Sequence, residues 1–215
     1  MKKIIFIIII ITIGCIFIAL NPAVEASGSK FDPSILKEGD IIFHQSHSDQ
    51  SEAVRIATNS RFSHMAIIFK YKGRFMVFEA VQPVKITSIT EFARRGGNSF
   101  VIKRLRDCDS VLTPGTIEKM RAQGKKYLGK NYDYQFRWDD KRIYCSELVW
   151  KIYKYGAGIE VGRLHRAQEM NLNDPVVRRL IEKRYGKNNS IPADEIVISP
   201  QSIYDCDRLV TVYEQ

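Results

Sequence analysis

Two apolar runs separated by four residues constrain this chain most. Phe62 to Phe69 and Arg74 to Ala80 each read as a strand, and Lys70-Tyr71-Lys72-Gly73 between them reads as a hairpin turn. A four-residue loop would pair Phe69 with Arg74 and set His64 directly opposite Glu79. A two-residue Lys72-Gly73 loop would pair Tyr71 with Arg74 and make His64 and Glu79 diagonal neighbours. Either register leaves both on one face, because side chains alternate with period two. A cross-strand His–Glu pair is ordinary in itself. An imidazole in so apolar a run as Phe62-Ser63-His64-Met65-Ala66-Ile67-Ile68-Phe69, however, needs a buried partner or a chemical task. A carboxylate supplies both: it fixes the tautomer through one ring nitrogen and leaves the other free.

The second informative stretch is Ile143-Tyr144-Cys145-Ser146-Glu147-Leu148-Val149-Trp150. Polar residues Asp139 to Arg142 precede it, and Leu148, Val149, Ile152 and Tyr153 follow at helical spacing. Cys145 therefore falls at or near a helix N-terminus, where unpaired N–H groups and the helix dipole favour a thiolate. A cysteine at a helix start and a histidine held by a carboxylate are the parts needed for acyl transfer. They occur here in the order His, Glu, Cys. A papain-type chain runs Cys, His, polar, but geometry and not order defines such a triad.

Location bears on the thiols. Lys2-Lys3 precedes an uncharged, mostly apolar run from Ile4 to Leu20, and Val24-Glu25-Ala26 fits cleavage after Ala26. Residues 1–26 thus read as a signal peptide. The apolar run is also nearly long enough for an uncleaved membrane anchor, and Ile13-Gly14-Cys15 is a third, lipoprotein-like reading. All three put the folded part outside the cytoplasm. Without Cys15, Cys108, Cys145 and Cys206 remain, an odd number that leaves at least one thiol free. Cys108 and Cys206 each lie in an Asp-Cys-Asp triplet, where flanking carboxylates disfavour the thiolate. They either pair as a disulfide or stay reduced. Neither is a good nucleophile.

The remaining elements describe an α+β fold, a mainly antiparallel sheet or partial barrel with helices packed against it. Short strands are expected at 39–43, 84–86, 99–106, 196–198 and 208–213. Helices are expected at 52–58 with Ser51 as N-cap, at 88–95, 113–128 and 145–155, and from Asp174-Pro175 to Tyr185. Residues 27–215 form one domain, with residues 156–192 an insertion of unassigned role. The formal charge of +9, or +8 without residues 1–26, suits an anionic neighbour such as lipid headgroups or wall polymer. No zinc-finger spacing, RNA-binding motif or long basic tract points to nucleic acid.

Five stretches in this order resemble the YiiX/YebB-like circularly permuted papain-fold cysteine hydrolases of the NlpC superfamily. They are Gly39-Asp40-Ile41-Ile42-Phe43, Arg61-Phe62-Ser63-His64-Met65-Ala66-Ile67, Phe78-Glu79-Ala80, Tyr127-Leu128-Gly129-Lys130-Asn131-Tyr132 and Tyr144-Cys145-Ser146-Glu147-Leu148-Val149. The resemblance implies Cys145 as nucleophile, His64 as base and Glu79 as the residue that orients it. It implies hydrolysis or transfer at an amide or ester without metal or organic cofactor, on a cell-wall peptide or a lipid-linked acyl substrate. No wall-binding repeat is recognisable.

Other candidates are weaker. Tyr132 and Tyr144 either pack or line a substrate cleft beside Cys145. His44-x-x-His47 lacks a third metal ligand at a plausible spacing. His165 lies in a polar stretch without an evident partner. Arg178 to Arg184 reads as a solvated helix face, or as a surface meeting anionic lipid or wall polymer.

Overall fold

A computed structural model describes residues 31–187 and 190–215. Contacts divide the chain into two units, residues 1–32 and 33–215. The leader expected at 1–26 lies outside the described residues. Among the described residues no helix is long and apolar enough to cross a membrane.

The second unit opens with one 3-10 turn, Pro33–Ile35. The elements then follow as β1 (Ile41–His44), α1 (Asp49–Thr58), β2 (His64–Tyr71), β3 (Arg74–Glu79), β4 (Lys85–Ser88), α2 (Ile89–Arg95), β5 (Val101–Leu105), α3 (Cys108–Val111), α4 (Pro114–Lys125) and α5 (Cys145–Ile152). After α5 come β6 (His165–Arg166), α6 (Pro175–Tyr185), β7 (Ile196–Val197), α7 (Pro200–Tyr204) and β8 (Leu209–Glu214). Six strands form an open sheet in the order β4-β3-β2-β1-β5-β8, every neighbour antiparallel. β6 and β7 form a separate two-stranded ribbon.

Helix ends obey local chemistry more closely than the apolar periodicity suggested. α1 starts at Asp49 because Ser48, and not Ser51, accepts the Ser51 N–H as N-cap. Ser88, Thr113 and Ser199 cap α2, α4 and α7 in the same way. α5 passes into a π-helical turn, Tyr153–Ala157, whose Gly156 lies against the Met120 backbone of α4. α3 went unread in the sequence because four residues carry no period.

The hairpin resolves the register. Tyr71 pairs with Arg74 and Ile67 with Phe78, so the loop is Lys72-Gly73 and His64 and Glu79 are diagonal neighbours. Lys72 and Gly73 both have positive φ, as a two-residue hairpin turn of this hand requires. Met65, Ile67 and Phe69 enter the main core with Leu148, Val149 and Ile152 of α5. His64 and Ala66 point to the opposite face, which Glu79, Thr87 and His44 share through the pairings of β1, β3 and β4.

α6 packs on α1, and Val177 and Ile181 form a small second core with Ala53. His165, unpartnered in the sequence reading, meets Arg163 at 2.8 Å and Glu169 at 3.1 Å.

Candidate active site

Cys145 is the first residue of α5, at the end of the sheet where β2 begins. The helix starts there because the Glu147 carboxylate accepts the Tyr144 N–H at 3.3 Å, closing the first turn, while also pairing with Lys151 at 2.6 Å. The thiol is buried, 4% exposed. Burial opposes its ionisation. The hydrogen bond to His64 and the Met65 and Ser146 N–H groups outweigh burial, so the thiol lies below its ordinary pKa.

His64 lies between that thiol and Glu79. Its Nε2 is 2.8 Å from Oε2 of Glu79, which leaves Nδ1 for the thiol side. Burial disfavours the imidazolium, but hydrogen bonds to Cys145 and Glu79 prevail and raise its pKa to about 9. Glu79 is fully buried. Burial again works against the charge, and His64, Thr87 and Arg95 overcome it, holding the carboxyl at about 2. Arg95 Nη2 reaches both Glu79 oxygens at 2.5 Å, and the Thr87 hydroxyl donates to Oε1. The three residues therefore favour a thiolate–imidazolium pair backed by an ionised carboxylate.

α2 supplies the floor. The Phe92 ring stacks on His64 at 5.5 Å and meets His44 edge-on at 4.5 Å. Arg95, Thr87 and Phe92 were not singled out in the sequence, and His44 was weighed there only as half of a metal-binding pair with His47. Thr87 was legible in principle, since a β4 extended by two residues puts it on the Glu79 side; Arg95 and Phe92 depend on how α2 folds back.

Tyr132 and Tyr144 both flank Cys145. Burial above all, and then the negative charge of the Cys145 thiolate, push the Tyr132 hydroxyl well above its usual pKa against the opposing charge of Arg184, so it stays protonated as a donor. The Tyr144 hydroxyl accepts the Ile198 N–H at 3.1 Å and ties α5 to the segment after β7. An apolar pocket opens from Cys145 between α1 and α6, lined by Ala53, Ala57, Tyr132, Leu180, Ile181 and Ile198 among others. A more polar cleft, lined by His44, Ser46, Gln82 and Arg95, lies on the His64 side. Cys108, Cys145 and Cys206 are all free thiols. Burial, reinforced by Asp109, raises the Cys108 pKa.

An open antiparallel sheet, a helix-borne cysteine and a histidine that precedes it in the chain define a papain-like thiol hydrolase with permuted order. Residues 35–213 match the family described as permuted papain-like amidase enzyme, YaeF/YiiX, C92 family, and the chain belongs to that family. It is 39% identical over 178 residues to the uncharacterized protein YiiX of Escherichia coli (strain K12), covering 82% of this chain and 86% of that one. It also resembles the crystal structure titled metalloprotein yiiX from Escherichia coli O157:H7, with a TM-score of 0.77 and 39% identity over 83% of this chain and 97% of that chain.

Among the described residues no three His, Cys, Asp or Glu side chains converge on a common point. His44 packs against the rings of His64 and Phe92, and His47 is exposed beside Gly97.

Proposed function

We propose that this protein hydrolyses an amide or ester whose acyl part is a long apolar chain, with Cys145 as nucleophile, His64 as acid–base and Glu79 as the group that orients it. The observation that carries the reading is the apolar pocket that begins at Cys145. A hydrophilic wall peptide has little to gain from such a lining, whereas an acyl chain gains roughly 0.8 kcal/mol per buried methylene.

The Cys145 thiolate attacks the carbonyl carbon, and the oxyanion forms next to the α5 N-terminus and the Tyr132 hydroxyl. The His64 imidazolium protonates the leaving nitrogen or oxygen as its bond to carbon breaks, and an acyl thioester remains. Neutral His64 then takes a proton from water, whose oxygen attacks the thioester. The thiolate leaves as the tetrahedral intermediate collapses, the proton stays on His64 to restore the thiolate–imidazolium pair, and the acid departs. Glu79 stabilises the imidazolium in both steps.

A chain-length series of p-nitrophenyl esters and N-acyl amides tests this. Turnover rises steeply from acetyl to dodecanoyl and disappears in Cys145→Ala. Equal turnover of acetyl and dodecanoyl substrates, or preference for a wall peptide, overturns it.

The same reading includes export. Lys2-Lys3, the apolar run and Val24-Glu25-Ala26 support a domain that works outside the cytoplasm at an anionic envelope surface. Mass spectrometry of the native N-terminus decides it: Ser27 as first residue is expected, and a cytosolic protein beginning at Met1 contradicts it.

A further inference from the structure

Among the described residues, Arg184 and Arg55 are the half-buried arginines that face no carboxylate, and of the two only Arg184 lines the apolar pocket. It is half-buried on the last turn of α6 and lines the apolar pocket that contains Cys145. Burial lowers its pKa, so its charge is held at a cost. Arg95, Arg104, Arg121, Arg137 and Arg142 are also half-buried, and each faces a carboxylate: Glu79, Asp40, Glu38, Glu195 and Asp133. Among the described residues, Arg184 has no carboxylate within ion-pair distance.

The guanidinium is nevertheless well placed. Nη1 donates to the Tyr134 carbonyl at 2.9 Å, and the planar group lies 5.4 Å from the Tyr134 and Phe136 ring centres. Two aromatic rings and one carbonyl position it and leave most of its five N–H donors uncommitted. Asp133, the carboxylate that bears on it electrostatically, is occupied by Arg142 and the N–H groups of Gln135 and Arg137.

A desolvated, pre-oriented guanidinium in an apolar wall is matched by an anion that arrives with the ligand. We infer that Arg184 binds an anionic group, a carboxylate or phosphate, carried by the acyl-chain substrate, and so selects anionic amphiphiles over neutral ones. The inference rests on the apolar pocket being the acyl site.

Binding to the full chain carrying Cys145→Ala tests it without turnover. Dodecanoate, dodecyl phosphate and dodecanol are titrated by calorimetry below their micellar concentrations. At least one anion binds at least roughly tenfold tighter than dodecanol, and the better of the two names the anionic group. Arg184→Met removes that preference and leaves dodecanol affinity within about threefold, while Arg184→Lys keeps part of it. If Arg184→Met fails to fold, the comparison of the three ligands and the Arg184→Lys variant still decide. Equal binding of all three, or an anionic preference that survives Arg184→Met, overturns the role of Arg184 while the acyl pocket stands. If none of the three binds, the acyl reading falls and this inference falls with it.

Discussion

His64 and Glu79 stand diagonally across β2 and β3, with Nε2 and Oε2 2.8 Å apart. The two-residue turn at Lys72-Gly73 sets that offset. It brings the carboxylate to the ring nitrogen remote from Cys145 and leaves the nearer one for the thiol.

The first prediction concerns thiolate formation. With the thiol depressed and His64 raised to about 9, Cys145 is alkylated rapidly at pH 7. In His64→Ala the alkylation profile shifts up towards or beyond the ordinary thiol value, and turnover falls about 100- to 10,000-fold. Iodoacetamide rates from pH 5 to 10 measure this. Superimposable profiles with and without His64 would refute the coupling.

The carboxylate and its supports give the second. Glu79→Gln removes the charge that favours the imidazolium, so His64 titrates below about 9 and the alkaline limb of turnover moves to lower pH. Arg95→Met removes a competing cation from the same carboxylate, and the limb moves the other way. The pH dependence of kcat/KM separates the two, whereas a purely structural defect lowers the rate at every pH alike.

Acid sensitivity is the third. His44 is buried between His64 and Phe92, and its ring nitrogens meet no hydrogen-bond partner among the described residues. Burial first, then the positive charge of His64 and Arg95, lowers its pKa to about 3, and the Glu79 charge offsets this only in part. Below the ordinary value of 6.5 the unfolded chain takes up a proton that folded His44 refuses. Stability therefore falls as pH drops from 6.5 towards 3. Glu79, held at about 2 by its partners, contributes stability present above its ordinary 4.5 that is lost as pH falls towards 2. Melting temperatures of His44→Phe should decline less between pH 6.5 and 4.5 than those of the unsubstituted chain. An equal decline rejects the role of His44.

Packing yields the fourth. A Cβ on Gly156 would meet the Met120 Cα at 2.5 Å, a backbone atom that has no room to yield. Gly156→Ala should destabilise the fold by about 1–3 kcal/mol in urea titrations, through separation of the π-helical turn from α4. A midpoint unchanged from the parent counts against that contact.

The hairpin, the shared face of His64 and Glu79, and the helical setting of Cys145 were legible because they are local. Period-two alternation and a helix start need only neighbouring residues to declare themselves. The open sheet order, with β5 beside β1 and β8 outside β5, was not, because strand adjacency depends on which apolar faces bury each other. Ser48 displaced Ser51 as cap because one serine among several is selected by backbone geometry, which composition does not encode.

The sequence by itself determined the kind of chemistry: one thiol at a helix start, one imidazole on an apolar strand and a carboxylate within its reach. Only the tertiary structure decided what surrounds them. Arg95 reaches Glu79 because α2 folds back over β3 and β4, and the basic stretch on α6 places Arg184 at a pocket because that helix packs on α1. Such contacts join residues distant in the chain, and their partners are chosen by burial and shape rather than by spacing.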